Sequence, residues 1–278
     1  MINLLPFLTK LSENLQGVNN RINKYLKKPN AKQIHDIRTS IRRLDATFST
    51  LPKKYRNGSC LSRYVLQCKE LFKINSEIRD FDIIIEKLQK YPSSGQRDNI
   101  IEDLKKTRLA RLERAKTIAV PLKSIDTATI LDELGVTEKE LQKRFVKIVS
   151  RLISTIDSIF PIVLSNPQAL EKMHDLRIAC KKLRYMLEVL PNNNKLAVQT
   201  RESLKKIQDN LGSIHDSDFT IGYLKSLPQS SKQIQEIIDK ENDRRRLQFE
   251  RFLNYSKRRL GISPDSFLFK LRSFNLAS

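Results

Sequence analysis

HDIRTSIRRLDATFSTLP, residues 35–52, and HDLRIACKKLRYMLEVLP, residues 174–191, are one pattern written twice in a chain of 278 residues. At an offset of 139, six of the 18 positions are identical: His, Asp, Arg, Leu, Leu and the closing Pro. Three more keep their chemistry, pairing Ile37 with Leu176, Arg42 with Lys181 and Arg43 with Lys182. A second pair follows each copy. EIRDFDIIIEKL (77–88) aligns with SIHDSDFTIGYL (213–224), sharing Asp80 with Asp216 and Asp82 with Asp218. Each half then closes on a basic segment, Lys105 to Lys116 in one and Arg244 to Arg259 in the other. The simplest reading is a duplicated four-helix unit.

The repeated stretch is helical by its periodicity. At about 100° per residue, with His35 at zero, Arg38 and Arg42 fall within about 60° of it and form one stripe. Ile37, Ile41, Leu44, Phe48 and Leu51 gather on the opposite side. His174, Arg177 and Lys181 repeat the stripe, with Leu176, Cys180, Leu183, Leu187 and Leu190 opposite. One face is built for burial, and the other presents an imidazole followed by cations at +3 and +7. Any amphipathic helix has a charged face, but a solvated face has no need of histidine. The chain has 3 histidines, and two occupy this one equivalent position.

Outward from the motif, helical spacing runs along nearly the whole chain. It predicts eight helices, at about 3–27, 31–51, 60–90, 96–118, 137–164, 168–190, 197–225 and 231–259. Lys28-Pro29-Asn30, Leu51-Pro52, Pro92 to Gly95, Val120-Pro121, Pro191 and Leu227-Pro228 mark the breaks, and Asn166-Pro167 reads as an N-cap followed by a proline at N1. The expected organisation is all-α: a first four-helix repeat at 1–120, a linker at 121–136, a second repeat at 137–260 and a tail at 261–278.

The most apolar stretch, Ile148 to Leu164, contains Arg151 and Asp157, so a buried amphipathic helix is expected there rather than a membrane span. Met1 to Lys10 has no basic leader and no small-residue cleavage site, so no signal peptide is expected. Cys60, Cys68 and Cys180 form no CxxC pair, and three sparse thiols suit a reducing cytoplasm.

With 52 Lys and Arg against 31 Asp and Glu, the net charge is +21. That excess calls for an anionic partner. The 7 glycines make no phosphate-cradling GxxxxGK[ST] or GxGxxG loop. Three histidines leave little for a His-rich dimetal site, and no Ser/His/Asp constellation is recognisable. There is no Trp and no recognisable helix-turn-helix or RNA-binding module.

H-D-[IL]-R-x-x-x-[KR]-[KR]-L at two places, each followed by an [RH]-D-x-D helix and a basic helix, resembles the CHAD family, the conserved histidine α-helical domain. The likeness spans about residues 3–260, and the second half follows the family pattern more closely. In the first half Asp45 stands where the second copy has Arg184, and Asn75-Ser76 replaces Leu211-Gly212.

The resemblance implies two four-helix bundles related by a pseudo-twofold axis around a basic central groove or pore. It implies noncatalytic binding of inorganic polyphosphate. Carried over by position, His35, Arg38, Arg42 and Arg43, with His174, Arg177, Lys181, Lys182 and Arg184, would line that surface. Arg108, Arg111, Arg244 and Arg245 would extend the track. Asp80 and Asp216 are expected to hold basic side chains in place rather than meet the anion. No protein-held metal or cofactor is expected, magnesium accompanying the bound phosphates being the one ion left open. Neither a specific nucleic acid nor a membrane is an expected partner, and a cytoplasmic protein associated with polyphosphate granules fits. The alternatives are a nucleic-acid-binding helical protein and, further off, an enzyme that processes phosphate chains.

Overall fold

Local chemistry places the helix ends. Asn30 accepts a hydrogen bond from the Gln33 amide and opens one helix, and Ser59 does the same for the Ser62 amide. Thr137 and Glu140 form a reciprocal capping box. Leu51, held extended before Pro52 (φ −65°, ψ 149°), stops the first motif helix. The computed structural model describes residues 2–123, 125, 134–191, 193–228 and 231–259. Among them there are helices and no strands: α1 (Leu4–Lys27), α2 (Ala31–Thr50), α3 (Lys53–Arg56), α4 (Cys60–Leu88), α5 (Gly95–Lys123), α6 (Glu138–Ser165), α7 (Leu170–Leu187), α8 (Lys195–Lys225) and α9 (Lys232–Arg259).

The all-helical expectation holds, with three local differences. A short extra helix, α3, follows Pro52, and Gly58 turns the chain into α4 with φ +76°. Asn166 ends α6 instead of opening α7. Its Oδ1 accepts from the Gln168 amide at 2.8 Å, and α7 starts at Leu170. Finally, α5 runs through Pro121 to Lys123, because Ala119 and Leu122 are buried and hold its last turn. The linker expected at 121–136 falls largely on residues 124 and 126–133, which lie outside the described residues, as does the expected tail after 261.

The chain forms two compact units. The first gathers residues 8–136 and 219–241. The second gathers 2–7, 137–218 and 242–259. Thus α1, α8 and α9 each contribute to both.

In the first unit, α2 buries Ile34, Ile37, Ile41 and Leu44, and Ile22 of α1 and Tyr64 and Leu71 of α4 are buried too. Tyr64 donates its hydroxyl proton to Asn19 Oδ1 at 2.6 Å. A further apolar cluster joins the end of α4 to α5, α8 and α9 through Ile84, Leu88, Ile101, Leu224, Ile234 and Ile238. Beside it, the fully buried Glu241 pairs with Lys87 and accepts from the Tyr91 hydroxyl at 2.8 Å.

In the second unit, α6 turns Leu141, Phe145, Val149, Ile153, Ile156 and Phe160 inward. Lys143, Lys147, Arg151, Ser154 and Ser158 are exposed on its other side. By length and composition α6 is apolar enough to cross a membrane. Its polar outer face is that of an amphipathic helix with a wide apolar arc. Phe160 meets Phe252 of α9 edge-on at 6.1 Å, and α7 buries Leu176, Cys180, Leu183 and Leu187. Cys68 and Cys180 are buried, and burial raises both thiol pKa values, that of Cys68 to about 12. Cys60 is exposed.

The Lys87–Glu241 pair gives a stability test. Removing one partner of a buried pair strands the other charge, at a cost of about 3–5 kcal/mol, whereas an apolar replacement of both is close to neutral. Glu241→Ala should therefore lower the urea midpoint strongly, and Lys87→Met with Glu241→Leu should recover most of the loss. Equal midpoints for Glu241→Ala and the parent protein would show that the pair contributes nothing.

Candidate functional site

The two motif helices present their stripes as their periodicity requires. In the first unit His35 is exposed, while Arg38 and Arg42 are half-buried. Both guanidiniums stand over the ring of Phe72 from α4, at 5.6 and 4.9 Å from its centroid. Arg79, also from α4, adds to the positive potential at His35. Desolvation chiefly lowers the His35 pKa; Asp36 opposes that, while Arg38, Arg42 and Arg79 reinforce it. Arg79 itself pairs with Glu86 at 2.9 Å, and Asp36 with Arg21 at 3.0 Å. Arg43 is exposed on the flank.

In the second unit His174 is exposed, Arg177 and Lys181 are half-buried, and Lys182 is exposed. The α8 residue aligned with Arg79 is His215. Its ring lies 5.4 Å from that of His174, tilted by 47°. Burial pushes the His215 pKa down to about 3, helped by Arg177, His174 and Lys181. His174 is lowered by burial first and by Arg177 next. Each unit therefore brings one further residue, Arg79 or His215, up to its exposed histidine from a neighbouring helix.

Other predicted site residues are tied into the frame. Arg184 donates to Glu188 at 3.0 Å and to Gln208 at 3.2 Å, and stacks on Tyr185 at 4.2 Å. Arg108 of α5 holds Asp82 at 2.6 Å. Arg245 of α9 holds Asp218 and also donates to the Pro167 carbonyl at 2.6 Å. Arg111 pairs with Glu77 at 3.0 Å, and Arg244 is half-buried.

Asp80 and Asp216 were expected to anchor the basic helices, and both are half-buried. Arg108 of α5 and Arg245 of α9 are gripped by the aspartates two residues further on, Asp82 and Asp218. The spacing carries that signal. Asp82 lies four residues after Ile78 and three before Ile85, and Asp218 sits likewise between Ile214 and Ile221, all four isoleucines being buried. Phe72, Arg79, His215 and Gln208 also belong to the two sites, and the motif helices alone did not reveal them. Among the described residues no group of three or more His, Cys, Asp and Glu side chains could hold a metal ion.

Two all-helical units each present an exposed histidine in line with half-buried cations. The family model for the CHAD domain matches residues 10–225, and the chain belongs to that family. Among solved structures it is similar to the crystal structure of the CHAD domain from the plant Ricinus communis. The TM-score is 0.60 and the identity 16%, over 98% of this chain and 91% of that one, a likeness of fold. No curated protein sequence matches the chain.

The low pKa of His215 has a thermal consequence. An unfolded histidine titrates near 6.5. Between about pH 3 and that value the unfolded chain takes up a proton that folded His215 refuses. Stability therefore rises with pH across this window and is lost on acidification. The Tm followed by circular dichroism should fall from pH 7 to pH 5, and His215→Gln should reduce that fall. An unchanged pH dependence in the variant would assign the effect elsewhere.

Proposed function

We propose that this protein binds inorganic polyphosphate without altering it, through His35, Arg38 and Arg42 in the first unit and His174, Arg177 and Lys181 in the second. The observation carrying this reading is the recurrence of the stripe: an exposed histidine with half-buried cations at +3 and +7, in both units. Membership of the CHAD family supports it.

A phosphate chain offers repeated charge and no bases. What recognises it is a row of donors at a suitable pitch, and cations one helical turn apart, about 5 Å, supply that pitch. Arginine brings a planar fork to phosphate oxygens, and lysine a mobile point charge. Half-buried cations are partly desolvated in advance, so an arriving anion meets a stronger field than at a fully exposed lysine. Burial first, and these cations with it, lower the histidine pKa values in the free protein. A bound polyanion offsets the cations' share, so binding favours proton uptake at His35 and His174. Arg184, Arg108 and Arg245 serve this function by fixing the helices, and Arg43 and Lys182 add flanking charge.

The test is fluorescence anisotropy with labelled polyphosphate of about 100 phosphates across a salt series. Affinity should fall steeply with salt, because binding releases condensed counterions. Arg38→Ala with Arg42→Ala, and separately Arg177→Ala with Lys181→Ala, should each weaken binding more than tenfold and flatten the slope, with helicity kept. Displacement of polyphosphate by duplex DNA or RNA at equal phosphate concentration would favour a general nucleic-acid binder. Release of orthophosphate, or shortening of the polymer on a gel, would make the protein an enzyme.

A further inference from the structure

We infer that Phe72 is a positioning residue for the anion in the first unit, holding the guanidiniums of Arg38 and Arg42 together over one aromatic ring. The inference rests on the polyphosphate reading of the same stripe. Phe72 is half-buried on α4. Its ring centroid is 5.6 Å from the Arg38 guanidinium carbon and 4.9 Å from that of Arg42.

Two like charges so close repel each other, and each long side chain has many rotamers to lose. The negative face of the ring answers both problems. It attracts each cation, and it restricts both before any phosphate arrives. An aromatic ring carries out this task, so a survey of charged residues passes over it.

The second unit is built differently. At the position aligned with Phe72 stands Gln208, which accepts from Arg184 at 3.2 Å and donates to the Cys180 carbonyl at 3.3 Å. There the corresponding cations are Arg177 and Lys181, and the histidine partner is the neutral His215 rather than Arg79. The two stripes thus share a pattern while differing in what holds their cations. The first has an aromatic platform under a pair of arginines, and the second has an amide that braces α7 against α8.

The experiment compares Phe72→Leu, Phe72→Tyr and Phe72→Trp in the full chain, with polyphosphate of about 100 phosphates as the probe. Leucine keeps the apolar bulk without the π face. At an ordinary exposed-site strength for each cation–π contact, its loss should weaken binding about five- to thirtyfold. Tyrosine and tryptophan should stay within about twofold of the parent. The salt slope should be unchanged in Phe72→Leu, because no cation is removed, whereas Arg42→Ala lowers affinity and slope together.

In a background of Arg38→Ala with Arg42→Ala, Phe72→Leu should have no further effect. Parent-like affinity in Phe72→Leu would overturn the inference, and so would an undiminished effect in the double-alanine background. Relaxation of the Arg Nε–H groups by 15N NMR provides a reading without polyphosphate. Arg38 and Arg42 should be ordered in the parent and Phe72→Tyr proteins and mobile in Phe72→Leu. Failure of the parent protein to bind polyphosphate would overturn the functional reading. The relaxation data would then still decide whether Phe72 holds the two arginines, and equal order in parent and Phe72→Leu would show that it does not.

Discussion

Two carboxylates, Asp82 buried and Asp218 half-buried, each tie a pair of helices together. Asp82 and Asp218 occupy helix positions that spacing would assign to isoleucine, and Asp82 is only 7% exposed. A carboxylate cannot be kept there uncompensated, because desolvation of an unpaired charge costs several kcal/mol. Each is met by an arginine from the basic helix of its repeat, Arg108 or Arg245. The pairing sets the register of α5 on α4 and of α9 on α8. It also divides the cations of the basic segments: some are spent on internal carboxylates, while Lys105, Lys106, Arg114 and Arg246 remain exposed. The count of 52 Lys and Arg therefore overstates how many cations are available to a ligand.

The motif helices depend on the same frame in another way. Their apolar faces are buried almost without exception, so the rotation of α2 and α7 about their own axes is fixed by packing. The stripe opposite has no freedom to turn away. Because it lies where the helix meets its neighbours, Arg38, Arg42, Arg177 and Lys181 are half-buried while the histidines at the start of each stripe are exposed. Burial of the imidazoles is the larger cause of the lowered pKa of His35 and His174, and the neighbouring cations add to it.

The all-helical class, the helix borders to within a few residues and both stripes were legible in the sequence, because each is written in local spacing. Leu176, Cys180, Leu183 and Leu187 define their face by periodicity alone. What escaped depends on packing between segments far apart in sequence. His215 lies 41 residues from His174 along the chain, and only the pairing of α7 with α8 brings the two rings together. Phe72 reads as one more apolar residue of α4 until Arg38 and Arg42 are seen above it. The copies share Asp80 with Asp216 and Asp82 with Asp218. The intervals to Ile78 and Ile85 distinguish the two. Asn166 and Pro121 show a different limit. Residues suited to ending or starting a helix do so only where the neighbouring side chains leave the backbone free.

The thiols carry a consequence of their own. Cys68 and Cys180 are sealed in the cores of different units, with pKa values raised far above neutrality, while Cys60 is exposed at the first position of α4. Toward a water-borne alkylating reagent the folded chain thus behaves as a single-thiol protein. A spin label or fluorophore would enter at one defined point of the first unit. Reaction at the other two cysteines would then time the opening of each hydrophobic interior separately.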